Sequence, residues 1–92
     1  MDEILNQALE FDVPIMQEEG IKFLINFIKE NNIKNILEFG SAIGYSAINM
    51  ALISNDIEIT TIERDTFRYS LAVSNINKFN LEKQITIIND DV

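Results

Sequence analysis

A short apolar run that ends in a carboxylate and enters a glycine-spaced loop constrains the fold of this chain more than any other stretch. Ile36–Phe39 is short and apolar enough to predict a buried strand. Gly40 and Gly44 mark a sharp turn directly after it. Residues 45–52 then show the apolar spacing of a helix. The stretch therefore predicts strand, turn and helix, a geometry in which ligands bind outside the carboxyl end of the strand, beside free backbone N–H groups.

The rest of the chain alternates helical and strand patterns around this stretch. Helices are predicted over Asp2–Phe11, over Gln17–Glu30 and from Asp65 or Thr66 to about Phe79, and two further strands over Ile57–Ile62 and Ile85–Ile88. In the second helix we expect Phe23 and Phe27 to widen the apolar face. That face is formed by Ile21, Leu24, Ile25 and Ile28. The alternation predicts an α/β fold with a parallel sheet and right-handed connections.

Composition excludes several kinds of chemistry. The 92 residues include no cysteine and no histidine, so disulfides, thiolate metal sites and the most frequent general base are absent. The net charge is −8 and the basic residues are scattered, which gives no nucleic-acid surface within this chain. No apolar run reaches the roughly 18 residues of a membrane span, and Asp2 and Glu3 at the start are unlike a signal peptide. A cytoplasmic protein without a membrane partner is predicted.

Each predicted strand delivers a carboxylate at its C-terminal end: Glu38, Glu63 and Asp90. The ends of parallel strands lie side by side, so we expect these acids to face one crevice. Glu63 follows Gly44 at close to the ~20 residues that separate a dinucleotide-binding loop from the acid that binds ribose hydroxyls. Glu63 is therefore the strongest single candidate. The alternative, a solvated loop residue, is disfavoured by the glycine loop.

The loop and the acids together select the chemistry of the ligand. Ala42 stands where a nicotinamide-dinucleotide loop has its middle glycine, and three nearby acids disfavour a phosphate. S-adenosylmethionine is cationic, hydroxylated and free of phosphate. Glu38 would hold its ammonium, Glu63 its ribose diol and Asp90 its adenine amine. A nicotinamide-binding half-domain and a Mg²⁺ site on the three acids are weaker alternatives.

Three segments also resemble a known family. Residues 36–46, followed by Thr61–Asp65, resemble the class I S-adenosylmethionine-dependent O-methyltransferases of the catechol and caffeoyl-CoA type. Val13–Gly20 resembles the bacterial branch that includes the tRNA 5-hydroxyuridine O-methyltransferases. The resemblance implies a Rossmann-like class I methyltransferase fold with three parallel strands in the order 3-2-1 and flanking helices. Residues 1–92 would form the N-terminal, cofactor-binding part of a single domain whose C-terminal half is absent.

The resemblance assigns one group of residues to the methionine end of the cofactor. It implies that Glu38, Gly40 and Ala42 line the methionine pocket. Ser46 would hydrogen-bond the methionine carboxylate, and Ile15 would close over this end. For Ser46 the alternative is a residue that only caps the following helix.

A second group is assigned by the resemblance to the adenosine end. Glu63 would bind the ribose hydroxyls and Arg64 would lie along the adenine. Asp90 and Asp91 would flank the adenine amine, with the choice between them left open because Asn89 departs from the family pattern.

The resemblance implies that the intact enzyme transfers the methyl group of S-adenosylmethionine to a hydroxyl oxygen of a small molecule or of tRNA hydroxyuridine. Acceptor-binding residues, and the ligands of any divalent metal, would lie beyond Val92. No catalytic or metal-binding residue is therefore predicted here, and the 92 residues alone are expected to be inactive. The rival prediction is a non-catalytic interaction module that forms homodimers through the unpaired edge of the first strand.

Overall fold

Seven elements make up the fold in the computed structural model, which describes residues 1–91. They are α1 (Asp2–Glu10), α2 (Glu18–Glu30), β1 (Asn35–Phe39), α3 (Tyr45–Ala51), β2 (Glu58–Glu63), α4 (Thr66–Lys78) and β3 (Ile85–Asn89). Every predicted helix and strand is present, and no boundary differs by more than one residue. No helix in the described range is both long and apolar enough to cross a membrane.

The three strands form one parallel sheet in the order β1-β2-β3. Leu37 of β1 lies beside Thr60 of β2, and Ile62 of β2 lies beside Ile88 of β3. The predicted strand order 3-2-1 is confirmed. The parallel arrangement brings the carboxyl ends of all three strands to one edge of the sheet.

The core lies between one face of the sheet and the helices. Alternate residues of β2, namely Ile59, Thr61 and Glu63, are buried, and both α3 and α4 contact this strand. Isoleucines fill most of the remaining space: Ile4, Ile28, Ile43, Ile48, Ile57, Ile76 and Ile85. The helix-covered face is therefore the one that carries the polar side chains Thr61 and Glu63 toward the strand ends.

The prediction that β1 is a buried strand is wrong for one of its faces. Leu37 is 60% exposed and Phe39 is 63% exposed. They project from the sheet face opposite the helices, together with Ile88 of β3, and the described residues place no layer over that face. Parallel sheets are normally covered on both faces, so this surface is an unpartnered one.

The prediction that Phe23 and Phe27 widen the buried face of α2 is also wrong. Phe23 is 73% exposed, and the two rings stack on each other with centroids 6.4 Å apart. Ile21 and Ile28 are the buried residues of this helix. Two positions along an α-helix correspond to about 200° of rotation, which turns Phe23 away from the side that Ile21 buries.

Candidate cofactor-binding site

The glycine loop between β1 and α3 needs left-handed backbone at three positions. Gly40 has φ +86° and Gly44 has φ +89°, which glycine adopts without steric cost. Ala42, between them, has φ +50°, a conformation that costs a residue with a Cβ atom about 1–2 kcal/mol. The backbone N–H groups of Gly40 and Ser41 both donate to Ile62 O, at 2.7 and 3.3 Å. The loop is thereby held against the end of β2.

A buried asparagine holds the other side of this loop. Asn75 in α4 is fully buried, and its Nδ2 donates to Ile43 O in the loop at 2.8 Å and to Gln7 Oε1 of α1 at 2.9 Å. The loop is therefore fixed by both β2 and α4.

Glu63 is the last residue of β2 and is only 5% exposed. Its Oε1 accepts the N–H of Ala42 at 2.7 Å, and its Oε2 accepts the N–H of Asp65 at 3.0 Å. A carboxylate has about four lone-pair positions, so this arrangement fixes its orientation and leaves acceptor capacity on each oxygen. The alternative in which Glu63 is a solvated loop residue is wrong. The residue that donates to its Oε1, Ala42, is also one of the residues with left-handed backbone.

The ends of β2 and β3 are tied together beside Glu63. Asn89 Nδ2 donates to Glu63 O at 2.9 Å, and the N–H of Asp90 donates to the same oxygen at 3.2 Å. Asp65 is the N-cap of α4, with Oδ1 accepting the N–H of Arg68 at 2.9 Å. These contacts bring Asp90 and the first turn of α4 to the same edge of the sheet as Glu63.

A cleft of about 430 Å³ lies at this edge. Its lining residues are Pro14, Phe39, Gly40, Ala42, Ile62, Glu63, Arg64, Arg68 and Asp90. Five of them were predicted from the sequence as site residues: Gly40, Ala42, Glu63, Arg64 and Asp90. Its volume is in the range of small-molecule sites. Arg68 was not predicted from the sequence. The feature that could have indicated it is a basic residue one turn after the Asp65 cap.

Glu38 lies outside this lining, within a separate hydrogen-bond network. Its Oε1 accepts the hydroxyl of Thr61 at 2.6 Å, and its Oε2 accepts the hydroxyl of Ser46. Ser41 Oγ lies 2.6 Å from Thr61 Oγ1. Sequence reasoning missed Ser41 and Thr61 as members of this network. No sequence signal marks Thr61, because its position directly beside Glu38 follows from the strand register.

Ile15 and Asp91 occupy the periphery. Ile15 lines a different groove, with Leu5 and Tyr45, rather than the cleft itself. Asp91 is exposed, and its Oδ1 lies 4.0 Å from Nη1 of the equally exposed Arg64. Of the two neighbouring aspartates, only Asp90 is among the residues that line the cleft.

The acids do not converge into a metal site. Among residues 1–91 there is no cluster of three or more carboxylate, histidine or cysteine side chains close enough to hold a metal ion. The expectation that Glu38, Glu63 and Asp90 face one crevice is therefore only partly met, because Glu63 and Asp90 line the cleft and Glu38 belongs to the hydroxyl network. The alternative of a Mg²⁺ site formed by all three is not supported.

A parallel sheet with a left-handed glycine loop and a buried acid at the end of its second strand defines a Rossmann-like ligand-binding unit. Comparison with known proteins gives the family. A family model described as O-methyltransferase matches residues 2–92. The chain therefore belongs to this O-methyltransferase family.

Individual relatives agree with this assignment. The caffeoyl-CoA O-methyltransferase of Populus kitakamiensis is 34% identical over 80 residues, which are 86% of this chain and 33% of that protein. A Staphylococcus aureus crystal structure, named as a candidate caffeoyl-CoA O-methyltransferase, superposes with a TM-score of 0.91 at 40% identity, over 97% of this chain and 43% of that one. A Bacillus cereus O-methyltransferase in complex with SAH gives a TM-score of 0.84 at 27% identity, over 97% and 42%.

These similarities confirm the predicted class I methyltransferase fold. The match covers only part of each relative. The chain spans about a third of the Populus relative and less than half of each of the two solved structures.

Proposed function

We propose that residues 1–92 are the N-terminal, cofactor-binding part of a single O-methyltransferase domain, and that they bind S-adenosylmethionine and its product S-adenosylhomocysteine (SAH). The observation that carries the proposal is Glu63, a buried carboxylate fixed by two backbone N–H groups at the edge of the cleft. The SAH bound to the Bacillus cereus relative supports the choice of ligand.

The donors and acceptors around the cleft suit an adenosine. The free lone pairs of Glu63 can accept both hydroxyls of a ribose diol. Asp90 offers an acceptor to the adenine amine, and the planar guanidinium of Arg64 or Arg68 can lie along the purine. Gly40 leaves open space where a Cβ atom would stand, so a ligand can approach the loop backbone.

The methionine end is proposed to lie toward Glu38. Its carboxylate would attract the ammonium group, and Tyr45, which precedes the Glu38 partner Ser46, lines a groove with Ile15. The Ser46 hydroxyl donates to Glu38 Oε2. We propose that Ser46 lies at this end of the ligand, within reach of the methionine carboxylate that the family resemblance assigns to it.

Bound S-adenosylmethionine supplies a methyl group on a sulfonium. In the transfer, the acceptor hydroxyl oxygen forms a bond to the methyl carbon while the carbon–sulfur bond breaks. The electron pair of that bond returns to sulfur, which becomes a neutral thioether, and the acceptor proton passes to a base. The described residues contribute binding and orientation. None of them is assigned the base, so the 92 residues alone are expected to bind the cofactor without turnover.

The acceptor is proposed to be a hydroxylated small molecule or a tRNA hydroxyuridine. The caffeoyl-CoA relatives support the first, and the resemblance of Val13–Gly20 to tRNA-modifying enzymes supports the second. Methylation assays of the full-length protein with a catechol and with tRNA that carries unmethylated 5-hydroxyuridine as acceptors would separate the two.

Calorimetric titration of the 92-residue chain tests the binding proposal. We expect saturable binding of SAH and none of NAD. Glu63→Ala should weaken SAH binding at least tenfold, because a ligand hydrogen bond to a charged group contributes about 1.5–3 kcal/mol. Glu58→Ala is the matched control, since Glu58 begins the same strand and is exposed. Saturation by NAD alone, or unchanged SAH affinity in a folded Glu63→Ala variant, would overturn the proposal.

A second candidate is self-association through β1, which the exposed Leu37 and Phe39 favour. Within the described residues, β1 pairs only with β2, and β1 contains neither proline nor lysine to protect its other edge. A second copy can pair antiparallel to it about a two-fold axis at Leu37. That register places Glu38 opposite Ile36 of the partner subunit, so no like charges meet. Sedimentation velocity over a hundredfold concentration range tests for this homodimer.

A further inference from the structure

In the hydrogen-bond network around Glu38, the donor and the acceptor of each bond can be assigned. An ionised carboxylate only accepts hydrogen bonds, so Thr61 donates to Glu38 Oε1 and Ser46 donates to Oε2. A threonine hydroxyl has one proton. In the 2.6 Å contact between Ser41 and Thr61, Ser41 must therefore be the donor. The chain of donation runs from Ser41 to Thr61 to Glu38.

The two acids of the site are consequently held by different means. Glu63 is fixed by backbone N–H groups of Ala42 and Asp65, which no side-chain substitution removes. Glu38 is fixed only by the hydroxyls of Thr61 and Ser46 among its described contacts. Thr61 is fully buried in the central strand, whereas Ser46 is half-buried on α3. The rigid anchor of Glu38 is thus Thr61.

We propose that Thr61 is a positioning residue that aims the Glu38 carboxylate at the amino-acid end of the ligand. This inference rests on the proposed binding of S-adenosylmethionine. Thr61 is sealed from solvent and donates to Glu38, so it would act on the ligand through that carboxylate. Its loss frees one carboxylate oxygen of Glu38 and leaves the buried Ser41 hydroxyl without its acceptor.

The experiment compares two ligands that differ only at the amino-acid end. SAH carries the amino acid, whereas 5′-methylthioadenosine keeps the adenosine and thioether without it. Each is titrated into the wild-type chain and into Thr61→Val, which preserves the shape of the side chain and removes the hydroxyl. Thr61→Ser restores a hydroxyl, and Glu38→Gln removes the charge directly. Circular dichroism confirms that each variant is folded.

We expect Thr61→Val to weaken SAH binding about tenfold while changing 5′-methylthioadenosine binding by less than twofold. Thr61→Ser should bind SAH within about twofold of the wild type. Adding Thr61→Val to Glu38→Gln should cause little further loss, because the two residues act through one carboxylate.

Equal losses for both ligands in Thr61→Val would overturn the positioning role, since they indicate general damage to the cleft. So would unchanged SAH affinity, or failure of Thr61→Ser to restore it. A folded wild type that binds 5′-methylthioadenosine as tightly as SAH would also overturn this role, while leaving the adenosine site intact. A folded wild type that binds neither ligand would overturn the proposed function and this role together.

Discussion

Ala42 combines an unfavourable backbone conformation with a hydrogen bond to the principal acid of the site. Its φ of +50° is unfavourable for a residue with a Cβ atom. The loop keeps this conformation because it directs the Ala42 N–H at Glu63 Oε1. A glycine there would adopt the same conformation without steric cost. The backbone strain at Ala42 is therefore linked to the hydrogen bond that orients Glu63.

Ala42→Gly is expected to raise the free energy of unfolding by up to about 1 kcal/mol, since relief of the left-handed conformation outweighs the added freedom of the unfolded chain. Chemical denaturation measures the difference. Ala47→Gly is the matched control. Ala47 is buried within α3, where the same replacement should lower the free energy of unfolding. Equal destabilisation of both variants would contradict the account of the loop.

Single residues also mark the limit of prediction from sequence. Glu63 could be found because its distance from the glycine loop follows a known spacing. Thr61 could not, because a threonine in a β-branched run is an ordinary strand residue until its register beside Glu38 is known. Hydrogen bonds between strands depend on register, which periodicity alone does not give.

At the level of elements, apolar periodicity and turn residues located every helix and strand to within one residue. The errors concern which face of an element is buried. Phe23 and Phe27 are apolar but lie on the outer side of α2. The apolar Leu37 and Phe39 are typical of a strand that is covered on both faces. The described residues cover only one face of β1. Hydrophobicity indicates that a side chain needs cover, and the sequence does not say what supplies it.

An ion pair joins the first and last helices. Lys78 Nζ of α4 contacts Glu3 Oε1 of α1, and both side chains are largely exposed. The hydrogen bond from Lys78, together with its charge, holds the pKa of Glu3 below the usual value of 4.5. Because the folded-state pKa is the lower one, this stabilisation is complete above about pH 4.5 and is lost as the pH falls through the folded value.

Glu3→Gln is therefore expected to reduce the dependence of stability on pH below pH 4.5, and its effect on stability should shrink as the pH falls through the lowered pKa of Glu3. Thermal unfolding measured between pH 3 and 7 tests this. The effect should be small and should decrease with added salt, because the pair is exposed. Glu82→Gln, which removes an exposed charge outside the helices, is the control. An unchanged pH profile in Glu3→Gln would show that the pair does not contribute.

On the scale of the whole molecule, one sheet face and the outer edges of β1 and β3 are unpartnered within the described chain. Leu37, Phe39 and Ile88 form an apolar surface there, on the opposite side of the sheet from the core. Since the solved relatives are more than twice as long as the part that matches, a longer polypeptide offers one cover for this surface and a second copy offers another.

Leu37→Lys should abolish any homodimer of the 92-residue chain, because it places a charge at the centre of the proposed β1 pairing. Sedimentation velocity is the measurement. Phe23→Lys is the control, as it adds the same charge at a different exposed apolar site, on α2. A dimer that survives Leu37→Lys and is lost in Phe23→Lys would assign self-association to α2 instead.

We propose that Glu63 and the glycine loop together form the adenosine site. Titration of the ¹⁵N-labelled chain with SAH, followed through the amide resonances, tests this proposal. We expect the Ala42 and Asp65 amides, which donate to Glu63, to shift together and saturate, while those of α2 stay in place. Saturable shifts elsewhere with these two amides unmoved, or no shifts at high SAH concentration, would contradict it.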